Sequence, residues 1–300
     1  MMKTMKTMKT ICMALLSPLL AASPVHAAIS VTDGSGATVT LARPAQRVVT
    51  LAPHATELVY AAGAGERIVG ASDYSDYPPA AKAIPRIGGS HQVDTERLLA
   101  LRPDLLVVWQ GGNGERQLEP LRRLGVPVYR SEPKSLDDIP AELERLGTLA
   151  GTEASARPAA AALRSRLAAL GERYRDRAPV TVFYQVWDQP LYTLNGRQIV
   201  SDAIRLCGGV NVFADLSALA PTVSVEAVLQ KNPEVIIRGG QGGADAAGLA
   251  MWQRTPALLA TQRGNLYTVQ SDLMTRAGPR MVDGAEALCG LLDQARKKRR

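Results

Sequence analysis

Apolar and polar positions along the chain switch repeatedly between two periods. Short runs of β-branched and aliphatic residues read as buried strands: Arg47 to Leu51, Ile68 to Ala71, Leu105 to Trp109, Val126 to Arg130, Val180 to Val186, Val235 to Ile237 and Leu266 to Val269. Between them, apolar residues three and four apart read as helices over Thr56 to Ala62, Glu96 to Leu101, Gln117 to Leu124 and Arg280 to Ala295. Gly63 and Gly65 end the first of these. Alternation of this kind predicts an α/β protein with mainly parallel sheets. Val31 to Leu41, turning at Asp33-Gly34-Ser35-Gly36, predicts a small hairpin ahead of the first sheet.

One stretch breaks the rhythm. Ala154 to Arg177 is rich in Ala, Leu and Arg and has no Gly before Gly171, with Pro158 placed in the opening turn. It predicts a helix of about 30 Å, enough to cross a domain. The organisation follows: an N-terminal α/β lobe over 28–150, a connecting helix over 151–178, a C-terminal α/β lobe over 179–295, and a basic tail over 296–300. An internal echo relates the lobes. Glu96-Arg97-Leu98-Leu99 leads to Pro103-Asp104 and a strand, and Glu226-Ala227-Val228-Leu229 leads to Pro233-Glu234 and a strand. A Gly pair follows each, Gly111-Gly112 and Gly239-Gly240. Two lobes on one stiff helix imply a cleft that opens little and is largely preformed for its ligand.

The first residues change the picture of the compartment. Lys3, Lys6 and Lys9 precede a short apolar run, Ile11 to Ala22, and Val25-His26-Ala27 offers small residues for cleavage. This predicts a signal peptide over 1–27, too short to span a bilayer, and export to the periplasm. Charge then needs correction. The net +7 counts three lysines of the signal and five basic residues of the tail; without them 27 basic residues face 28 acidic ones. A near-neutral body excludes a nucleic-acid footprint. The tail itself reads as a solvated, disordered end. Cys207 and Cys289 remain after cleavage, and in an oxidising compartment such a pair is expected to form a disulfide. The rival, a metal site, lacks a nearby His or second Cys at either position.

Catalytic motifs are missing. There is no Gly-x-Ser-x-Gly elbow, His-Glu-x-x-His pair or Walker loop, so no enzyme is expected. Only His54 and His91 survive cleavage, in different segments, too few for a multi-His metal cleft. His54 stands at a strand-to-helix junction and is a candidate cleft residue. Aromatic residues are sparse, at 4% of the chain, yet Tyr74, Tyr77, Trp109, Trp187 and Tyr192 all fall at or just after strand C-terminal ends. Flat rings at those ends suit a large, flat, partly apolar ligand. Trp252 lacks that context and reads as structural.

With these residues in view, the chain resembles the two-lobed binding proteins of ABC importers for cobalamin, haem and ferric siderophores, above all those for cobalamin. The matching stretches include Thr56-Glu57-Leu58, Tyr74-Ser75-Asp76-Tyr77-Pro78-Pro79, Gly111-Gly112-Asn113 with Glu115-Arg116-Gln117, Cys207-Gly208-Gly209, Ser271-Asp272 and Arg276-Ala277 with Pro279-Arg280. The resemblance implies two Rossmann-like lobes joined by one backbone helix, the class III type of periplasmic binding protein. It implies that Tyr74 and Trp109 contact a corrin ring, that Tyr192 is another wall residue, and that Asp272 and Arg276 line the opposite lobe; Trp187 joins them as a ligand-binding candidate by its place after a strand end. It also implies that Glu96 and Glu226, one per lobe, meet the permease of an importer complex with its ATPase, and that Cys207 pairs with Cys289. The expected protein is a monomer whose ligand is cobalamin or a related corrinoid, with no resident cofactor or metal; haem or a ferric siderophore is the alternative. The chain departs from the pattern at Ser90-His91, at Ala220-Pro221 and at Leu273-Met274-Thr275, where relatives carry aromatic residues. His91 is a further candidate for reaching a ligand's metal.

Overall fold

The computed structural model describes residues 28–89, 92–112, 118–119, 122–123, 125–240 and 248–299. The signal-peptide segment, His91, the Asn113 to Gln117 run and half of the Gln117 to Leu124 helix lie outside the described residues.

A hairpin of β1 (Ile29–Thr32) and β2 (Thr38–Leu41) opens the chain. The first lobe is a parallel sheet of β3 (Val48–Thr50), β4 (Ile68–Ala71), β5 (Leu105–Trp109) and β6 (Val128–Ser131), ordered β4-β3-β5-β6. The second lobe is a parallel sheet of β7 (Val180–Gln185), β10 (Gly209–Asn211), β11 (Val235–Gly240) and β12 (Leu266–Gln270), ordered β10-β7-β11-β12. In order of appearance within each lobe, both sheets therefore run second, first, third, fourth.

The sequence echo has a structural counterpart. Helix α1 (Pro53–Ala61) follows β3, and α2 (Thr95–Ala100) precedes β5. Asp94 caps α2 by accepting from Arg97 N, and in the other lobe Ser224 caps α6 (Val225–Lys231) by accepting from Ala227 N. Six residues after each Glu the chain turns through the left-handed region, at Arg102 (φ 44°) and Asn232 (φ 43°). Pro103 and Pro233 then start the approach to the third strand. One helix–turn–strand unit is built twice.

Between the lobes, α3 (Asp138–Ala150) turns back at Gly151 into α4 (Glu153–Tyr174). The 22 residues of α4 extend about 33 Å. Its buried positions, Ala156, Ala160, Leu163, Leu167, Leu170 and Tyr174, recur at alternating steps of four and three. That stripe belongs to one apolar cluster that includes Leu58 and Leu143 of the first lobe and Ile204 and Leu288 of the second. A core continuous through the connector makes a stiff joint. Pro158 lies in the second turn of α4, not the first, and removes the bond an N–H there would donate to Ala154.

The second lobe is completed by a hairpin of β8 (Trp187–Asp188) and β9 (Leu191–Tyr192), then α5 (Ile199–Leu206), α7 (Ala250–Gln253), α8 (Leu259–Gln262), α9 (Ser271–Thr275) and α10 (Met281–Lys297). Cys207, just past α5, and Cys289, in the middle of α10, form a disulfide, and both are fully buried. Trp252 is core: it packs edge-on against Phe183 and donates from Nε1 to Gln185 at 2.6 Å.

The C-terminal basic residues are not the free tail expected. Helix α10 continues to Lys297. Arg296 donates to the carbonyls of Ala178 and Cys207, Arg299 pairs with Glu234, and Lys298 reaches the Gly264 carbonyl at 2.6 Å. Guanidiniums that saturate exposed carbonyls beside a helix end hold that end down.

Candidate functional site

The carboxyl ends of both sheets face one cleft, as expected where loops after a central strand and its neighbour diverge. Loops after β3 (Leu51 to Pro53) and β4 (Ser72 to Tyr74), with Trp109 at the end of β5, line a cavity of about 980 Å³ on the first lobe. A second cavity of about 530 Å³ shares Ala52, Pro53, Tyr74 and Trp109, and continues between the lobes. Its far wall is Val186 after β7, Ile199 at the start of α5, and Asp272, Met274, Thr275, Arg276 and Ala277 after β12. A drug-sized molecule needs about 300–1,000 Å³, which each half supplies, so the two halves occupied together can take a bulkier one.

Tyr74 and Trp109 supply the apolar surface. Tyr74 is 81% exposed and held in the left-handed region at φ 62°. A large side chain kept there and in water is costly, and such positions cluster at functional sites. Trp109 is 41% exposed. Its indole packs against the Gly111-Gly112 turn, where Gly111 N donates to Glu132 Oε2 at 2.7 Å. A Cβ added at Gly112 would sit 1.9 Å from the indole Cε3. Gly112→Ala is therefore expected to swing Trp109 out of place and weaken ligand binding about tenfold without unfolding the protein, as titration beside circular dichroism will show.

His54, second residue of α1, lies edge-on to Trp109, with ring centroids 6.3 Å apart and an interplanar angle of 87°. Its Nε2 is buried without a hydrogen-bond partner. Burial lowers its pKa from 6.5 to about 4, so it is neutral at physiological pH. In the opposite wall the buried hydroxyl of Tyr184 also has no partner. Behind the Glu132 wall, Glu142 of α3 is pushed from 4.5 to about 7, chiefly by burial.

These two groups give opposite pH dependences. The unfolded chain binds a proton at His54 below pH 6.5 and the folded one only near 4, so stability falls as pH drops through that window. Glu142 keeps its proton up to about 7 when folded but only to 4.5 when unfolded, so stability rises as pH drops from 7 to 4.5. Each slope approaches about 1.4 kcal/mol per pH unit, and between them they nearly cancel. His54→Phe should then make the urea midpoint rise from pH 7 to pH 5, and Glu142→Gln should make it fall.

Arg276 enters the cleft already committed. Its guanidinium meets Asp76 at 2.6 Å, Glu57 at 3.3 Å and Asp272 at 3.3 Å. Arg280 clasps Glu57 from Nε at 2.9 Å and Nη2 at 2.6 Å, and lies over the Tyr77 ring at 4.0 Å. Glu57, Asp76 and Arg280 are site residues that the sequence reading misses; the Thr56-Glu57-Leu58, Tyr74-Ser75-Asp76-Tyr77 and Pro279-Arg280 stretches hold the available signal.

Of the expected wall residues, the structure brings Tyr74, Trp109, His54, Asp272 and Arg276 together. Trp187 and Tyr192 are not in that lining. They are backbone register partners across the β8–β9 hairpin, and Trp187 Nε1 donates to the Gln189 carbonyl of its own turn, while Val186 takes the cleft position. Tyr77 lies under Arg280 beside an outer groove, not in the cleft. Glu96 and Glu226 are exposed at equivalent second positions of α2 and α6. The Glu226 carboxyl is held below its ordinary range by its own backbone N–H and by Ser224. Among the described residues there is no group of three or more His, Cys, Asp or Glu that could hold a metal ion.

Two parallel α/β lobes on a rigid connector, with a preformed cleft at their strand ends, define a class III ligand-binding protein. The chain belongs to the periplasmic binding protein family, whose model matches residues 48–273. It is 38% identical over 255 residues to the vitamin B12-binding protein of Vibrio cholerae, covering 85% of this chain and 92% of the relative. With the vitamin B12-binding protein of Pectobacterium atrosepticum it shares 39% identity over 252 residues, 82% and 88% of the two chains. The crystal structure of the Vibrio cholerae periplasmic vitamin B12 binding protein BtuF matches with a TM-score of 0.79, covering 85% of this chain and 99% of that one. The haem-binding protein HutB of Vibrio cholerae, at 21% identity and a TM-score of 0.72 over 82% and 98% of the chains, shares the fold.

Proposed function

We propose that this protein is exported through the signal peptide at 1–27, captures cobalamin or a related corrinoid in the interlobe cleft, and delivers it to the permease of an ABC importer. The observation that carries the reading is the pairing of exposed Tyr74 and Trp109 in a cleft larger than a small metabolite needs. Flat apolar rings on one lobe suit a macrocycle face. The polar loop from Asp272 to Arg276 on the other lobe suits the hydrogen-bonding groups at a corrinoid's edge. The vitamin B12-binding relatives at 38–39% identity support the same ligand. Tyr74, Trp109, His54, Asp272 and Arg276 are the proposed contacts, with Trp187 and Tyr192 on the hairpin beyond Val186.

Titration of the purified protein with cyanocobalamin and with haemin tests this. Saturable micromolar or tighter binding of cyanocobalamin is expected; binding of haemin alone would reject the corrinoid and favour the haem carriers of the same fold. Glu96 and Glu226 are proposed as the permease-facing acids, one per lobe for a two-fold partner. Glu96→Ala with Glu226→Ala is expected to reduce ligand uptake in reconstituted vesicles while cyanocobalamin affinity stays unchanged; lost affinity would contradict that role.

A further inference from the structure

Glu57 belongs to α1 of the first lobe and is 3% exposed. A carboxylate so buried persists only when paired and hydrogen-bonded. Both of its partners, Arg276 and Arg280, come from the other lobe, more than 200 residues away in sequence. Arg280 grips it with two nitrogens, a planar fork that fixes orientation as well as distance. Asp76 and the Tyr77 ring complete a first-lobe socket for the two guanidiniums. Between them the chain passes close over α1, with a Cβ at Gly278 only 3.6 Å from Glu57 and 3.7 Å from the His54 carbonyl.

This clasp stands at the edge of the ligand cleft. Pro53 and His54, at the start of α1, form one wall, and Asp272 to Ala277 forms the facing wall. Glu57 is one turn along α1 from His54, and its partners begin inside the facing wall. From this we infer that Glu57 is a positioning residue: one buried carboxylate sets the separation of the two cleft walls and holds Arg276 where the ligand meets it. The affinity part of this inference rests on the corrinoid reading above; the separation part does not.

Glu57→Gln keeps the shape and removes the charge. Two readouts on the full mature chain test it, well below the melting midpoint of the variant. In stopped-flow binding of cyanocobalamin, the release rate is expected to rise about tenfold with little change in association rate, because breaking a buried charge pair acts mainly on dissociation. In double electron–electron resonance between spin labels at Lys82→Cys and Arg254→Cys, the narrow interlobe distance is expected to broaden. Glu144→Gln, which breaks the exposed 2.6 Å pair with Arg164, is the control and should change neither readout. Unchanged release rate and unchanged distance distribution in a folded Glu57→Gln protein would overturn the inference. A wild-type protein that ignores cyanocobalamin would reject the ligand reading, and the distance measurement would still decide Glu57. If Glu57→Gln does not fold, Asp76→Asn loosens the same clasp from its half-exposed side, and the same two outcomes apply.

Discussion

Trp109→Ala is expected to weaken cyanocobalamin binding about a hundredfold, a loss of about 3 kcal/mol of the kind truncated aromatic anchors cause at an interface. The indole ends β5, lines both halves of the cleft and is supported from behind by the Gly111-Gly112 turn and edge-on by His54. With 41% of its surface exposed, its truncation removes less packing from the unliganded fold than loss of a fully buried side chain would. Calorimetric titration should therefore show the affinity loss with a melting midpoint close to wild type. A variant that binds as the parent does would remove Trp109 from the site.

Loss of the disulfide carries the largest expected effect on stability. Cys207 and Cys289 are separated by 82 residues, and closing a loop of that size restricts the unfolded chain by about 4–5 kcal/mol in the entropy model. The bond ties the end of α5 to the middle of α10, and Arg296 binds the Cys207 carbonyl beside it. Cys207→Ala with Cys289→Ala is expected to lower the unfolding free energy by about 2–5 kcal/mol, seen as a lower urea midpoint. Ligand affinity should change little, because the cleft meets α5 at its opposite end, Ile199 and Val200. An unchanged midpoint would contradict the stabilising role.

Much of the fold was legible because burial writes itself into local period. The strand runs and the Ala- and Leu-rich connector needed no tertiary knowledge. Helix α3 is not among the elements read from the sequence, and it contains Pro140 and Gly147, two residues of low helix propensity. Gly147 is in fact a packing choice: a Cβ there would lie 2.3 Å from that of Ala156 on α4. The hairpin carrying Trp187 and Tyr192 shows the limit for the site. Aromatic residues after a strand mark the right region, but only the turn geometry decides that Val186 lines the cleft while Trp187 and Tyr192 become register partners in a hairpin outside that lining. The tail differs from its expected free end for a related reason. A run of like charges says nothing about carbonyls at Ala178, Cys207 and Gly264 that the folded chain brings within reach. Likewise the Glu57 clasp joins residues 219 and 223 positions apart, beyond any local pattern.

A crystal structure of the complex with cyanocobalamin tests the central account most directly. The corrin ring is expected against Tyr74 and Trp109, its edge groups at Asp272 to Arg276, with the Glu57 clasp intact and the lobes held as they are now. A ligand seated elsewhere, or lobes swung apart around a broken Arg276–Glu57 contact, would contradict it.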